Sequence, residues 1–286
     1  MADQDLLVPL GRKDSQEELA LQESLVGLDR LGLKGHLDQL VPKEKEEQRV
    51  RKETLALVNE GKWVPQEFQA SQGSLVMPKM GCQDLLALKV FGLEQLQVLE
   101  MSPERESCLR YRMELLPQEI GHLRNLTCLY VDSNNLKKSP AEIGTLSRLG
   151  RLTQSNNSLS SLPAEMGVLQ RLLSLHLANN SLTELPAALC QPRSLTLLDV
   201  SDNKIDTTPS SMQHPEKLET LLLLFNSLDS LPEDVCLLRN LHTLWLGNNH
   251  LWSLLAAFGE LVNLDWGDNY CSCNFEGNPL ERPPPK

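Results

Sequence analysis

The chain has 286 residues, a formal net charge of −11 and only 4% aromatic residues. That length allows one large domain or two ordinary ones, and the acidic balance argues against nucleic acid or an anionic membrane surface as partner, since both need a basic face. Leu supplies 61 residues against three Ile, a bias toward one apolar type that points to an internal repeat rather than a mixed globular core.

Residues 1–75 carry 14 acidic and 10 basic side chains. The opening MADQDLLVPLGRKD has acids before any base and no apolar run of signal-peptide length. With seven Cys, mostly at apolar positions, this gives the expectation of reduced thiols in the cytoplasm. No stretch of 18 apolar residues occurs, so no membrane span is expected. Ser15 with Glu18 reads as a capping box, and Leu19, Val26, Leu33, Leu37 and Leu40 follow at helical spacing until Pro42. EKEEQRVRKETLALVNEG, 44–61, predicts a second helix ended by Gly61. Two roles are open for this helical segment. It can cover the end of a following repeat array, or it can be a separate docking or oligomerising element.

Leu96, Leu99 and Met101 start a pattern that becomes regular further on. Asn134, Asn157, Asn180, Asn203, Asn226 and Asn249 recur every 23 residues. Around each lies LxxLxLxxNxL, as in LTCLYVDSNNL from Leu126 and LHTLWLGNNHL from Leu241. A variable half follows, as in LPQEIGHLRN (116–125) and LPAEMGVLQR (162–171). The xLxLx core has period two and predicts a short strand with Leu inward. Each turn of chain buries its Leu only against the next, so the turns stack into a solenoid with a parallel sheet. The Asn sits at a turn facing that core and needs backbone partners from its own and the neighbouring repeat. Pro117, Pro163, Pro186 and Pro232 fix φ after the strand, and the remaining half has room for one helical or 3₁₀ turn.

These motifs resemble the leucine-rich repeat family. More narrowly they resemble the 23-residue intracellular class of Ras-suppressor and scribble-type scaffolds, whose repeats carry LPxxIGxLxxL. The resemblance covers about 85–284 and implies an α/β, right-handed solenoid of about eight repeats, with its strands on a concave face. The expected division is therefore 1–75, a helical cap or docking element, and 76–286, the repeat domain, with regular repeats at 126–263. FEGNPLERPP (275–284) resembles the closing repeat of this class, with Asn278 extending the ladder after an insertion of about six residues at DWGDNYCSC. Several positions depart from the pattern. Gln154 and Thr208 stand at Leu positions, Ser139 replaces the Leu before Pro140, Leu255 replaces a Pro, and Pro192 and Pro215 stand where Leu is expected. Each is expected to cost about 1–3 kcal/mol.

No nucleotide-binding, zinc-protease, nucleophile-elbow or EF-hand motif is found. No enzyme activity, cofactor, metal site or small-molecule substrate is expected. The six His are scattered, and Cys271 with Cys273 lack a second pair for zinc. Cys108 and Cys128 read as small apolar residues.

The outward side chains between the inward Leu form columns across the repeats. The second column runs Tyr130, Thr153, His176, Asp199, Leu222, Trp245. Leu197, Leu222, Leu224, Phe225 and Trp245 would form an exposed apolar patch with an aromatic anchor, flanked by Tyr130, His176, Asp199 and Asp202. The bland alternative is drift, with another segment folded over the patch. The expected function is a non-enzymatic cytoplasmic scaffold that binds a protein partner on the concave face, and the resemblance implies signalling. The alternative is a regulatory or substrate-recruiting subunit of a phosphatase or ubiquitin-ligase complex, with 1–75 as the docking element.

Overall fold

The computed structural model describes residues 73–76, 90–102, 112–212, 214–264 and 272–281. The helices expected at 15–40 and 44–61 lie outside the described residues, as do PERESCL (103–109) and most of DWGDNYCSC.

The described chain builds one sheet of nine parallel strands in sequence order. They are β1 (Ser74–Val76), β2 (Val98–Glu100), β3 (Cys128–Tyr130), β4 (Arg151–Thr153), β5 (Ser174–His176), β6 (Leu197–Asp199), β7 (Thr220–Leu222), β8 (Thr243–Trp245) and β9 (Cys273–Asn274). The sheet therefore begins at Ser74, two residues ahead of the 75/76 division, and adds a strand the repeat pattern did not announce. From β1 to β8 the middle residue of each strand is a Leu pointing inward and at most 2% exposed. Its two neighbours point outward, because side chains alternate along a strand. Registration is strict from Ser74↔Val98 through Thr220↔Thr243, which turns the outward side chains into true columns.

The return half of most repeats makes a single 3₁₀ turn, as at Gln118–His122, Ala141–Thr145 and Ala164–Val168. The residue before each turn is extended with φ near the proline value. Pro117 stands at −63°, Pro140 and Pro163 at −71°, and Pro232 at −69°. Proline costs nothing there, since an N–H at the start of a helical turn has no partner within the turn. Leu255 adopts φ −62° at the equivalent place, so its substitution for Pro leaves the turn unchanged.

The asparagines at 23-residue spacing tie the turns together. The Oδ1 of Asn180 accepts the Leu159 N–H at 2.9 Å, while its Nδ2 donates to the carbonyls of Gln154 and Leu177 at 2.9 and 3.0 Å. Asn134, Asn157, Asn203, Asn226 and Asn249 repeat this with the N–H groups of Met113, Leu136, Leu182, Ile205 and Leu228. Asn278 continues the series, accepting from Leu251 at 3.0 Å and donating to the Leu246 carbonyl at 2.8 Å. The extra residues before it are absorbed ahead of β9, and Cys273 registers with Leu244. The ladder supplies hydrogen bonds where the chain bends away from the sheet and leaves its N–H groups without strand partners.

Two of the departures meet in space. Gln154 is fully buried, and its Nε2 lies 3.2 Å from the Ser139 hydroxyl of the preceding repeat. Two polar residues at neighbouring Leu sites thus satisfy each other in part, although Gln154 Oε1 is left without a partner, as is Thr208 Oγ1. Pro192 and Pro215 are buried at their Leu sites. Their carbonyls accept the Leu195 and Leu218 N–H groups at 3.2 and 2.9 Å, as the Leu123 carbonyl accepts that of Leu126 at 2.9 Å. What they lose is one bond, the counterpart of Leu123 N–H to the Ile120 carbonyl. The repeat of Pro192 keeps its 3₁₀ turn at Ala187–Cys190, whereas no 3₁₀ helix is described between β6 and β7, in the repeat of Pro215.

Candidate functional site

The outward sheet face divides into a polar half over β3–β6 and an apolar half over β6–β8. In register across it stand Glu100, Tyr130, Thr153, His176, Asp199, Leu222, Trp245 and Asn274.

The polar half is internally bonded. Arg151 donates from Nη1 to the Tyr130 hydroxyl at 3.4 Å. The Asp132 carboxylate accepts the Thr153 hydroxyl and, at 2.6 Å, the Ser155 N–H. Burial raises the Asp132 carboxyl above the usual range, against the lowering effect of these hydrogen bonds. His176 stands between Thr153 and Asp199 in register. Burial lowers its imidazole below the usual value, which keeps the ring neutral near pH 7. The Asp199 charge opposes that shift and the Arg151 charge reinforces it. The Asp199 carboxylate accepts the Ser201 N–H at 3.0 Å.

The apolar half differs from the exposed patch expected. Leu197, Leu222 and Leu224 are half-buried and Phe225 is 51% exposed. Trp245, expected outside as an anchor, is buried, with 5% of its surface exposed. The strand alternation does turn it outward, but β9 lies alongside at Trp245↔Asn274. The closing repeat also crowds the same strand. A Cβ at Gly247 would stand 2.5 Å from Asn274 Oδ1 and 3.1 Å from the Glu276 carbonyl. Trp245 is therefore a covered residue and not an exposed anchor. Cys128, expected to pack as a small apolar residue, is half-buried in the first outward column.

A fourth column has a backbone signature that sequence reasoning missed. Ser133, Asn156, Asn179, Asp202, Phe225 and Asn248 all have φ between 51° and 58°, and Gly277 has 72°. The chain turns there in the left-handed region, which Asn, Asp and Gly tolerate. The signal was present: the residue before each ladder Asn is Asn, Asp or Ser in five of the six regular repeats. Phe225 is the exception. Among the described residues no group of three or more His, Cys, Asp or Glu is placed to hold a metal ion, and no helix is long and apolar enough to cross a membrane.

These features define the class: a leucine-rich-repeat solenoid, with one outward sheet face free of the core. Residues 147–205 match the leucine rich repeat family, and solved leucine-rich-repeat structures share the fold. A leucine-rich-repeat protein of Leptospira interrogans is 32% identical with a TM-score of 0.64, over 74% of this chain and 49% of its own length. A plant peptide hormone receptor, RGFR1, solved in complex with RGF2, is 27% identical with a TM-score of 0.56, over 66% of this chain and 29% of its own. An internalin of Listeria monocytogenes, at 20% identity and a TM-score of 0.57, covers 73% of this chain and 62% of its own and shows the fold alone. The chain thus spans about half the length of the Leptospira protein and less than a third of the plant receptor. No curated protein matches the chain significantly.

Proposed function

We propose that this chain is a non-enzymatic interaction module that binds a protein partner on the outward sheet face, acting as a signalling scaffold in the cytoplasm. The observation that carries this reading is the registered face itself. It presents columns of side chains, polar over β3–β6 and with an apolar group around Leu197, Leu222, Leu224 and Phe225, on a rigid ladder-bonded frame. Fold alone does not fix a function, but a rigid face lowers the ordering cost of binding an extended partner. The plant peptide hormone receptor of the same fold was solved in complex with RGF2, which favours a binding role here without specifying the face.

The test is a quantitative pull-down from cytosol with the full chain as bait. Wild type is compared with Tyr130→Ala/His176→Ala and with Leu222→Asp, after circular dichroism shows equal folding. Partners lost with either face variant support the reading. Identical partner sets for all three baits overturn it.

A further inference from the structure

Phe225 sits at φ 51° and is half exposed. The equivalent positions hold Ser133, Asn156, Asn179, Asp202, Asn248 and Gly277. Short polar residues and Gly relieve the left-handed strain with local hydrogen bonds or by lacking a Cβ, and a bulky aromatic ring does neither. Core burial does not explain a ring with half its surface in solvent. Backbone strain at a bulky, exposed residue is a mark of a functional contact, and an aromatic ring among aliphatic neighbours has hot-spot composition.

The ring's surroundings are acidic. Asp199 registers with Leu222. Asp202 stands one repeat from Phe225, its N–H bonded to the Leu224 carbonyl at 2.8 Å. Among the described residues no hydrogen bond or ion pair engages the Asp202 carboxylate, and partial burial raises it above the usual range. The face also carries Glu100, Asp132 and Glu276, with Arg151 as the described cation in its strand columns.

We propose that Leu197, Leu222, Leu224 and Phe225 seat a large apolar side chain of an extended partner segment, and that Asp199 and Asp202 hold a Lys or Arg within two residues of it. This rests on the reading that the sheet face binds protein. Adjacent strands lie about 4.8 Å apart and an extended segment advances about 3.3 Å per residue, so neighbouring sites suit residues one or two positions apart. The acidic rim selects against acidic peptides and anionic lipid.

The test pans random dodecapeptides displayed on phage against the full chain and measures the enriched peptide by fluorescence anisotropy. The pool is expected to carry Lys or Arg within two residues of Leu, Ile, Phe or Trp. Phe225→Asn, which installs the residue found at Asn156, Asn179 and Asn248, should weaken binding about tenfold, and Asp202→Lys about fivefold. The Asp202→Lys deficit should shrink as salt rises from about 0.05 to about 0.5 M. A pool without the basic–apolar signature overturns the proposal, as does a peptide bound equally by Phe225→Asn. If that peptide is instead lost with Tyr130→Ala, the sheet-face reading stands and this proposal falls. No enriched pool removes both.

Discussion

Replacing Asn203 by Ala tests the ladder in the middle of the regular repeats. Asn203 is 9% exposed. Its Oδ1 accepts the Leu182 N–H at 3.0 Å. Its Nδ2 donates to the carbonyls of Leu177, Val200 and Ser201, each at 3.1 Å. Those three acceptors each keep a second donor: Asn180 Nδ2 for Leu177, Asn226 Nδ2 for Val200, and the Asn179 N–H for Ser201. The Leu182 N–H has no other acceptor among the described residues. The loss is therefore one orphaned buried N–H, about 1–3 kcal/mol, plus weakened bonding at three shared carbonyls, for a sum of about 2–4 kcal/mol. Asn203→Asp keeps an acceptor for Leu182 but turns an anion toward three carbonyl oxygens. It should cost at least as much as Asn203→Ala at pH 7 and recover part of that on acidification, when the protonated carboxyl can donate again. Urea unfolding followed by circular dichroism gives the totals, and hydrogen exchange at the Leu182 amide gives the local effect. Asn263, whose Nδ2 bonds the Arg239 carbonyl at the surface, is the control, with Asn263→Ala costing under about 1 kcal/mol. A cost below about 1 kcal/mol for Asn203→Ala, or an unchanged Leu182 amide, would refute the assignment of this bond as a structural tie.

The remaining predictions concern the polar sites the repeat pattern does not anticipate. Ser139→Ala should cost about 1–2 kcal/mol by unpairing the Gln154 amide, and nothing once Gln154→Leu is present, a coupling that a double-mutant cycle in urea measures. Because burial raises the folded-state Asp132 carboxyl, the native state holds its proton more tightly than the unfolded chain, and Asp132 disfavours folding once ionised. Asp132→Asn should therefore stabilise at pH 7, with the gain fading as pH falls through the raised value and gone below the unfolded carboxyl's own. Melts across pH check the sign. The Cys236 thiol is pushed to about 11 by burial first and then by the Glu260 and Glu233 charges, against Arg239, and Cys190 is raised by burial. Both should resist alkylation near pH 8 until the chain unfolds, while the half-buried Cys128 and Cys273 label faster in mass-spectrometric time courses.

Much of this architecture is legible without tertiary information, because a solenoid is nearly one-dimensional. Each repeat meets only its neighbours, so a fixed spacing of Leu and Asn specifies at once the inward face, the strand register and the ladder. The stacking of Asn134 through Asn249 follows from the 23-residue step, and the columns follow from the alternation of LxxLxL. The left-handed column was legible too, in the Asn, Asp and Ser that precede the ladder residue, but it carries no hydrophobic period to draw notice.

What the tertiary structure alone decided lies where a residue's surroundings come from outside its own period. Ser139 and Gln154 each read as a separate defect. Stacking places them 3.2 Å apart and makes them one partly satisfied pair, because their sites face each other across a repeat boundary. Trp245 reads as exposed by alternation. It is buried on a strand that pairs with β9, and the six-residue irregularity before β9 hides that pairing from any count of spacing. Phe225 reads as one member of an apolar run. Only the backbone shows that it occupies a left-handed site where its chemistry is out of place. Local periodicity fixes which way a side chain points. What it meets there is set by the neighbouring turns and by how the array ends, and those are properties of the folded stack.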